Sequence, residues 1–318
     1  MEERIIILGS NGQIGSELAM ALRQQYGKNN VITSDIKQPS HPTGDDIFEC
    51  VNVLDIEALE TLIRKYKPTQ IYLLAAMLSA TGERKPKQAW QLNIDGLLHV
   101  LDLAVKHTVE KVFWPSSIAV FGPHSPKENT PQYCIMDPNT VYGFSKLAGE
   151  RWCEYYFNKF GLDVRSIRYP GLISWKTTPG GGTTDYASNI FHKALTDGEY
   201  ECYLSADIHM PMLYMDDAIQ GTLSLMNAPS NKLRVRSSYN ITGFSFSPKE
   251  LTDEIQKYIP SFKTTYLSGD PRQAIAESWP SSIDDSFARE DWDWRPQYTI
   301  SSMTSTMLKK LQNNLQKT

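Results

Sequence analysis

Short apolar runs rich in β-branched residues alternate with helical patterns along the first 170 residues of the chain. The runs that predict strands are RIIIL (4–8), VITSDI (31–36), DIFECV (46–51), TQIYLLAA (69–76), EKVFWPSS (110–117) and LDVRSIRY (162–169). The patterns that predict helices occupy 13–26, 55–66, 86–107 and 140–160. Because parallel strands need helical crossovers, this order predicts an α/β, Rossmann-like fold, a doubly wound parallel sheet with helices on both faces.

The alternation weakens after Arg168, where the chain becomes richer in Pro, Ser, Thr and Trp. Shorter helical patterns follow, such as PKELTDEIQKYI (248–259) and SSMTSTMLKKLQNNL (301–315). We expect residues 1–170 to form the Rossmann-like domain and residues 171–318 to form mainly a smaller substrate-binding lobe, with some segments returning to the sheet. Such a lobe would close over the carboxyl ends of the strands, where open α/β sheets bind ligands.

Composition and charge narrow the range of partners. The chain of 318 residues has a net charge of −4 and no long run of either sign, which argues against nucleic acid or an anionic membrane. Its cysteines, Cys50, Cys134, Cys153 and Cys202, form no C-x-x-C motif, so neither a disulfide framework nor a zinc site is predicted. No apolar run approaches the roughly 18 residues that span a bilayer. We therefore expect a cytosolic protein that uses no metal and acts on a small molecule.

Three glycines lie between the first predicted strand and the first predicted helix. Gly9, Gly12 and Gly15 have the spacing G-x-x-G-x-x-G, which permits a tight turn, close approach of the backbone to a pyrophosphate, and close packing of helix on strand. The helix that follows would present free N–H groups to the phosphates. A sharp turn with a packing glycine is the alternative, but the position of the motif favours a dinucleotide site.

Asp35 ends the second predicted strand, about 20 residues after the glycine turn. A carboxylate there can accept both hydroxyls of the adenosine ribose of NAD and would repel the additional phosphate of NADP. Asp35 could instead be an ordinary turn residue, and the nearby Lys37 leaves the strictness of cofactor choice open. We expect NAD as the cofactor.

Tyr142 and Lys146 are four residues apart and would share one face near the start of a predicted helix. They follow Ser117, which ends the fifth predicted strand. Because a neighbouring ammonium favours the phenolate, we expect Lys146 to lower the pKa of Tyr142. Tyr142 would then take the proton of a substrate alcohol that Ser117 holds, while hydride leaves the same carbon. A second pair of equal spacing, Tyr155 and Lys159, would point elsewhere and lie partly exposed.

These motifs together resemble the extended short-chain dehydrogenase/reductase superfamily, to which the nucleotide-sugar epimerases belong. The matching pieces are GSNGQIG (9–15), LLAA (73–76), Asn93, PSSIAVFG (115–122) and YGFSK (142–146). The resemblance implies catalysis by Ser117, Tyr142 and Lys146, and cofactor contacts from Gly9, Asn11, Gly12, Gln13, Ile14, Gly15, Asp35, Ile36, Asn52, Val53, Leu74, Ala75, Ala76, Asn93, Ser116, Tyr142, Lys146, Tyr169, Gly171 and Leu172.

Some of these implied contacts have alternatives. Asn52 stands where the superfamily usually has an aspartate that contacts the adenine amino group, although an asparagine oxygen can accept the same hydrogen bond. Tyr169, Gly171 and Leu172 would line the nicotinamide side, or they could simply pack at a strand end.

Three segments, 75–97, 169–187 and 272–294, resemble more specifically the short-chain family of L-threonine 3-dehydrogenases. This resemblance implies NAD-dependent oxidation of L-threonine to 2-amino-3-oxobutyrate without a metal. The implied substrate contacts are Ser79, Ser117, Tyr142, Thr183 and Thr184. A nucleotide-sugar 4-epimerase is the alternative function, for which Arg234, Arg236, Arg272 and Arg289 are the available cations, and a non-catalytic NAD-binding protein is a third hypothesis.

The loop PGGGTTDYA (179–187) would then contact the substrate. We expect the N–H groups of residues 180–182 to approach a small carboxylate and the glycines to act as a hinge. Asp185 would face the substrate ammonium or cap the helix that follows. The alternatives are purely structural roles, in which Ser79 is a helix or turn serine and the two threonines cap a helix beginning near Asp185.

The helices predicted at 86–106 and 139–160 carry apolar residues on more than one face, including Trp90, Leu98, Leu101, Trp152 and Tyr156. In the superfamily the corresponding helices pair across a twofold axis, so the resemblance implies a homodimer. A thicker monomer core is the alternative.

Overall fold

The computed structural model describes residues 3–39, 46–176 and 180–316. Pro179 of the predicted substrate loop lies outside the described residues. The described strands are β1 (Ile5–Leu8), β2 (Val31–Asp35), β3 (Phe48–Cys50), β4 (Gln70–Leu73), β5 (Lys111–Ser117), β6 (Asp163–Tyr169), β7 (Gly171–Ile173), β8 (Glu199–Cys202), β9 (Met210–Tyr214), β10 (Tyr239–Asn240), β11 (Phe244–Phe246) and β12 (Lys263–Tyr266). The described helices are α1 (Gln13–Tyr26), α2 (Ile56–Tyr66), α3 (Ser79–Arg84), α4 (Pro86–Trp90), α5 (Gly96–Lys106), α6 (Val141–Phe160), α7 (Tyr186–Thr196), α8 (Met215–Asn227), α9 (Pro248–Gln256), α10 (Pro271–Ser278), α11 (Ser286–Trp292) and α12 (Ile300–Leu315).

Seven of the described strands form one parallel sheet in the order β10-β6-β5-β4-β1-β2-β3. The predicted α/β, doubly wound fold is therefore confirmed. The strand order reverses between β1 and β4, where ligands bind in open α/β sheets. The edge strand β10 comes from the second half of the chain and pairs with β6, so a segment beyond residue 170 does return to the sheet.

Both faces of this sheet are buried, which explains why its strands read as nearly continuous apolar runs. In β1, Ile5 and Ile7 pack with α1, α8 and α11, whereas Ile6 and Leu8 pack on the opposite face with α2, α5 and α6. Alternate residues of a strand point to opposite faces, so one short run of four apolar residues contributes to both cores.

The chain leaves the main sheet at Pro170, and β7 joins β9 and β11 in a three-stranded sheet of the smaller lobe. Strands β8 and β12 form a separate parallel pair. The lobe core, to which α7, α9 and α12 contribute, also includes residues 118–121 that follow β5. The lobe core thus includes residues at the carboxyl end of β5 of the main sheet.

The two long predicted helices differ in regularity. α6 is continuous, begins after Thr140, whose Oγ1 accepts the Gly143 N–H at 3.0 Å, and ends at Gly161 in a left-handed conformation. The predicted helix at 86–106 is interrupted by a π-helical turn at Gln91–Asp95, between α4 and α5. Apolar periodicity does not reveal such a turn, because one inserted residue shifts the pattern only slightly. Within the described residues, no helix combines the length and apolar character required to cross a membrane.

Candidate active site

The glycine turn after β1 is built so that two of its glycines cannot carry a side chain. Gly9 has a φ of +88°, and a Cβ there would lie 2.5 Å from the Ala75 backbone nitrogen. A Cβ on Gly15 would lie 2.8 Å from Ser10 Cα and would also overlap the Gly9 carbonyl. Gly12 directly precedes α1 and makes no side-chain cap, so the first N–H groups of the helix remain available to an anion.

A first cavity lies beside this turn, at the carboxyl ends of β1, β2 and β4. Its lining contains the predicted cofactor residues Gly9, Gly12, Asp35, Ile36, Asn52, Val53, Leu74, Ala75 and Ala76, together with Val51, Leu54, Met77, Gln88, Gln91 and Leu92, which were not predicted. The mixture of apolar side chains and one carboxylate suits an adenosine group.

The Asp35 carboxylate is held in a fixed orientation within this cavity. Its Oδ2 accepts the Asn11 N–H at 3.0 Å and its Oδ1 accepts the Ile36 N–H at 2.8 Å. Asn11 contacts Asp35 and is not among the described residues that line this cavity. Asn52 Oδ1 already accepts the Leu54 N–H at 3.0 Å, which leaves one lone pair of that oxygen for an adenine amino group.

A second cavity meets the first at Gly9 and Gly12 and extends between the sheet and the lobe. Its lining contains the predicted residues Gly9, Gly12, Gln13, Ile14, Gly15, Leu74, Ala76, Ser79, Ser116, Ser117, Tyr142, Lys146, Tyr169, Gly171, Leu172, Thr183 and Thr184. Leu78, Pro115, Ile118, Pro170, Gly182, Asp185 and Trp279 complete it. Residues predicted from six separate sequence segments therefore meet in one space.

Close packing brings Tyr142 to Ser117. Gly143 allows the start of α6 to contact the turn after β5, since a Cβ there would lie 2.6 Å from Pro138 Cβ and overlap the Ala119 carbonyl. Tyr142 and Ser117 both line the second cavity, and hydrogen bonding from the Ser117 side chain acts to lower the pKa of Tyr142. The second pair, Tyr155 and Lys159, is exposed on the same helix, as predicted.

The pKa values of Tyr142 and Lys146 differ from the prediction. Burial raises the pKa of Tyr142 to about 12, and the hydrogen bond from Ser117 only partly opposes it. Burial lowers the pKa of Lys146 to about 7, with Cys153 and Glu150 acting in the opposite direction. The prediction that Lys146 lowers the pKa of Tyr142 is therefore wrong for the protein alone.

Lys146 does not lower the pKa of Tyr142 because its ammonium group is bound elsewhere. Lys146 Nζ donates to the Pro115 carbonyl at 2.6 Å and lies 4.4 Å from the centre of the Trp114 ring, compared with 5.6 Å from the Tyr142 ring. A desolvated ammonium that is itself close to losing its proton near neutral pH stabilises a phenolate only weakly.

The side of the cavity facing the lobe is made of hydroxyl groups. Ser79 and Thr183 are both buried, and their side-chain oxygens lie 3.4 Å apart. Gly171 permits this arrangement, because a Cβ there would lie 2.9 Å from Thr184 Cβ and would overlap Met212 Sδ. Neither threonine caps α7, for which the described residues provide no side-chain cap, so the capping alternative is wrong.

The glycine loop is organised around Asp185 rather than around a ligand. Asp185 Oδ2 accepts the N–H groups of Gly181 and Gly182, both at 2.8 Å. The prediction that these N–H groups are free to approach a substrate carboxylate is therefore wrong. Burial raises the pKa of Asp185, while the two N–H groups and Arg272 act in the opposite direction.

Three implied cofactor residues have side-chain polar groups that are bound by other protein groups. Asn93 exchanges hydrogen bonds with the backbone of Met77 at 2.9 and 3.2 Å, donates to Ser145 at 3.1 Å, and is not among the described residues that line either cavity. The Ser116 hydroxyl donates to Glu150 at 2.6 Å. The Tyr169 hydroxyl pairs with Thr222.

Trp279 is the main cavity residue that the sequence did not reveal. It follows α10, is buried, and has its carbonyl held by Lys127 Nζ at 3.2 Å. The aromatic-rich segment that begins with it is equally typical of a hydrophobic core, and its three tryptophans, Ile283 and Ala288 do belong to core clusters. The one sequence feature that could have indicated a binding role for Trp279 is its position in a loop directly after a predicted helix.

Comparison with known proteins agrees with this arrangement. Residues 5–242 match the NAD dependent epimerase/dehydratase family. The chain belongs to this family. The predicted resemblance to the superfamily of the nucleotide-sugar epimerases is thereby confirmed.

Individual members of the epimerase/dehydratase family are similar over nearly the whole chain. A GalE-like L-threonine dehydrogenase from Cupriavidus necator, solved in a holo form, is 54% identical, with 97% of this chain and 99% of that chain covered and a TM-score of 0.94. An L-threonine dehydrogenase from Clostridium difficile is 45% identical, with 98% of both chains covered and a TM-score of 0.95. An uncharacterized epimerase/dehydratase from Staphylococcus haemolyticus is 45% identical over 99% of both chains.

Membership of this family implies a nucleotide cofactor, and the residues present fit one. The open helix N-terminus lies where the two cavities meet, and Asp35 lies on one side of that point while Tyr142 lies on the other. An extended dinucleotide needs these three parts in this spatial order: an acceptor for the ribose hydroxyls, an anion site for the diphosphate, and an active-site cavity for the nicotinamide. Within the described residues, no group of three or more His, Cys, Asp or Glu side chains is placed to hold a metal ion.

Proposed function

We propose that the protein oxidises L-threonine at its β-hydroxyl to 2-amino-3-oxobutyrate, with NAD as the cofactor. The observation that carries this proposal is the second cavity, in which Ser117, Tyr142 and Lys146 face Ser79 and the threonine pair of the glycine loop. Support comes from solved L-threonine dehydrogenases that are about half identical over nearly the full length.

The adenosine of NAD would occupy the first cavity, with its ribose hydroxyls on Asp35. Its diphosphate would lie at the N-terminus of α1, where Gly12 and the first helical N–H groups face the space between the cavities. The nicotinamide would extend toward Tyr169, Gly171 and Leu172. When bound, NAD accepts the hydride that leaves the β carbon of the substrate.

Tyr142 would be the base and Ser117 would orient the substrate hydroxyl. With a pKa of about 12, the phenolate of Tyr142 is formed at pH 8 at a cost of about 5 kcal/mol, at 1.36 kcal/mol for each pKa unit. Charge brought into the site on binding must supply this energy. Lys146, with a pKa of about 7, is largely neutral at pH 8, and its amino group would bind the nicotinamide ribose. The hydroxyl proton then passes to Tyr142 as the β carbon becomes a carbonyl.

A zwitterionic amino acid suits the charges of the cavity. Asp185 is the one carboxylate among its described lining residues, and it would face the substrate ammonium. Ser79, Thr183 and Thr184 provide hydroxyl donors for the substrate carboxylate. These neutral donors would bind a small anion without a permanent cation.

The epimerase alternative is weakened by the same lining. A sugar nucleotide carries a diphosphate, yet none of the described residues that line the second cavity is an arginine. The four arginines considered for this role are each paired with carboxylates, Arg234 with Asp291, Arg236 with Asp163, Arg272 with Asp270, and Arg289 with Asp285.

A homodimer remains part of the proposal. Of the apolar residues that suggested it, Leu101 and Tyr156 belong to the core, whereas Trp90 and Trp152 are 41% and 37% exposed. Phe144, Tyr155 and Phe160 extend the exposed aromatic surface along α6. Light scattering of the purified protein would measure the mass, and a monomer would refute this part.

The activity is tested by mixing purified protein, NAD and L-threonine and following NADH absorbance. We expect NADH to form with L-threonine, and 2-amino-3-oxobutyrate to be recovered as its decarboxylation product. A Tyr142→Phe variant is the matched control for contaminating dehydrogenases. Absence of NADH together with interconversion of a UDP-sugar would favour the epimerase, and NAD binding without any turnover would favour the non-catalytic protein.

A further inference from the structure

Glu17 lies one turn inside α1, the helix whose first residues line the second cavity. Its side chain is only 4% exposed. A carboxylate buried to this extent is unfavourable unless charged or hydrogen-bonding partners compensate it. Glu17 is not among the described residues that line either cavity, so its burial needs another explanation.

Both oxygens of this carboxylate are bound by one short segment that follows β7. The Ser174 hydroxyl donates to Oε1 at 2.6 Å, and Lys176 Nζ donates to Oε2 at 2.8 Å. The Lys176 N–H also donates to Ser174 Oγ at 3.1 Å, and the Ser174 N–H donates to Ser188 Oγ of α7 at 3.4 Å. Residues 174–176 are therefore tied to the cofactor helix on one side and to the lobe on the other.

This segment precedes the loop residues that face the substrate side of the cavity. Thr183 and Thr184 lie in that loop, and its far end is held within the lobe, where the Tyr203 hydroxyl donates to the Thr183 carbonyl at 3.1 Å. Ser174 and Lys176, which precede the loop, are held by Glu17. The chain is therefore held to α1 at Ser174 and Lys176 and to the lobe at Thr183.

We propose that Glu17 is a positioning residue for the substrate loop: through Ser174 and Lys176 it fixes the separation between the cofactor-binding helix and Thr183. This inference rests on the proposed function, because it takes the loop to contact the substrate. A loosened loop must be ordered again when the substrate binds, so losing this contact should weaken substrate binding while cofactor binding persists.

The test compares Glu17→Gln and Lys176→Met with Arg234→Gln as a matched control. Glutamine keeps the size of Glu17 and can still accept from Ser174, but it loses the charge that attracts Lys176. Arg234 also forms an ion pair with a buried carboxylate, Asp291, which is 3% exposed, and neither residue is among the described residues that line the two cavities. We expect the KM for L-threonine to rise about five- to tenfold in both test variants, with kcat and the NAD Kd within about twofold of wild type.

A merely structural role would give a different pattern. If both test variants keep the wild-type KM, or if the NAD Kd weakens as much as the KM while the Tm falls as in Arg234→Gln, the proposal is wrong.

A second measurement remains decisive if the wild-type protein does not oxidise threonine. Hydrogen exchange of peptides covering 171–176 and 180–190 in the free protein should be faster in Glu17→Gln than in wild type, and unchanged in Arg234→Gln. Unchanged exchange in Glu17→Gln would overturn the positioning role, whereas faster exchange without turnover of threonine would refute only the proposed substrate.

Discussion

The glycine turn gives a prediction in which two glycines of one motif should respond oppositely to the same substitution. At Gly12 the backbone has φ −72° and ψ 172°, which alanine adopts freely, and a Cβ would meet only the Gly9 carbonyl at 3.5 Å. At Gly15 a Cβ would lie 2.8 Å from Ser10 Cα and would overlap the Gly9 carbonyl oxygen, and both of these neighbours are packed backbone atoms. Gly12→Ala should therefore affect the cofactor, and Gly15→Ala should affect the fold.

The magnitudes follow from these contacts. Overpacking against backbone costs about 3 kcal/mol, and at about 2 °C for each kcal/mol in a chain of this size Gly15→Ala should lower the Tm by about 6 °C. Gly12→Ala should raise the Tm by about 1 to 2 °C, since alanine restricts the unfolded chain. Its methyl group would project between the two cavities, so the NAD Kd should weaken at least about tenfold, equivalent to about 1.4 kcal/mol.

The assays are thermal unfolding without cofactor and calorimetric titration with NAD, and each variant is the control for the other. Wild-type NAD affinity in Gly12→Ala would show that the turn does not bind the diphosphate. Wild-type stability in Gly15→Ala would show that the packing argument is wrong.

Four further predictions concern the site. Tyr142→Phe should lower kcat by at least about 100-fold and leave the NAD Kd unchanged; an active variant would identify another base. Because burial lowers the pKa of Lys146 from 10.5 to about 7, the unfolded chain keeps a proton that the folded protein has lost between these pH values, so the Tm of wild type relative to Lys146→Met should rise between pH 7 and 10. A constant difference would contradict this. Asp35→Ala should weaken NAD binding roughly tenfold and improve relative use of NADP, measured by parallel titrations. The double variant Thr183→Ala, Thr184→Ala should raise the KM for L-threonine at least about tenfold, and an unchanged KM would remove both residues from the substrate site.

The parts of the site that were predictable are those in which a local requirement appears in the sequence. Gly9 and Gly15 are needed because the backbone itself passes too close for a side chain, and their spacing records this. Asp35 ends a strand, and Tyr142 and Lys146 lie one turn apart on a helix, so their positions follow from secondary structure alone.

Other features depended on distant segments. Asn93 has the residue type expected of a cofactor contact, but its side chain forms hydrogen bonds with the backbone of Met77 in the loop after β4. Trp279 enters the cavity because the end of α10 packs beside the loop that carries Lys127. Neither contact has a local pattern, since its partners lie 16 or more residues away in the chain.

The sequence by itself determined the doubly wound sheet, the glycine turn and the order of serine, tyrosine and lysine, because periodicity, backbone geometry and spacing are local properties of a chain. Only the tertiary structure decided the protonation of the site. Burial raises the pKa of Tyr142 and lowers that of Lys146, and the two glycine N–H groups bind Asp185 instead of facing a ligand. Desolvation and hydrogen-bond competition depend on which segments pack together in space, and residue spacing carries no record of that packing.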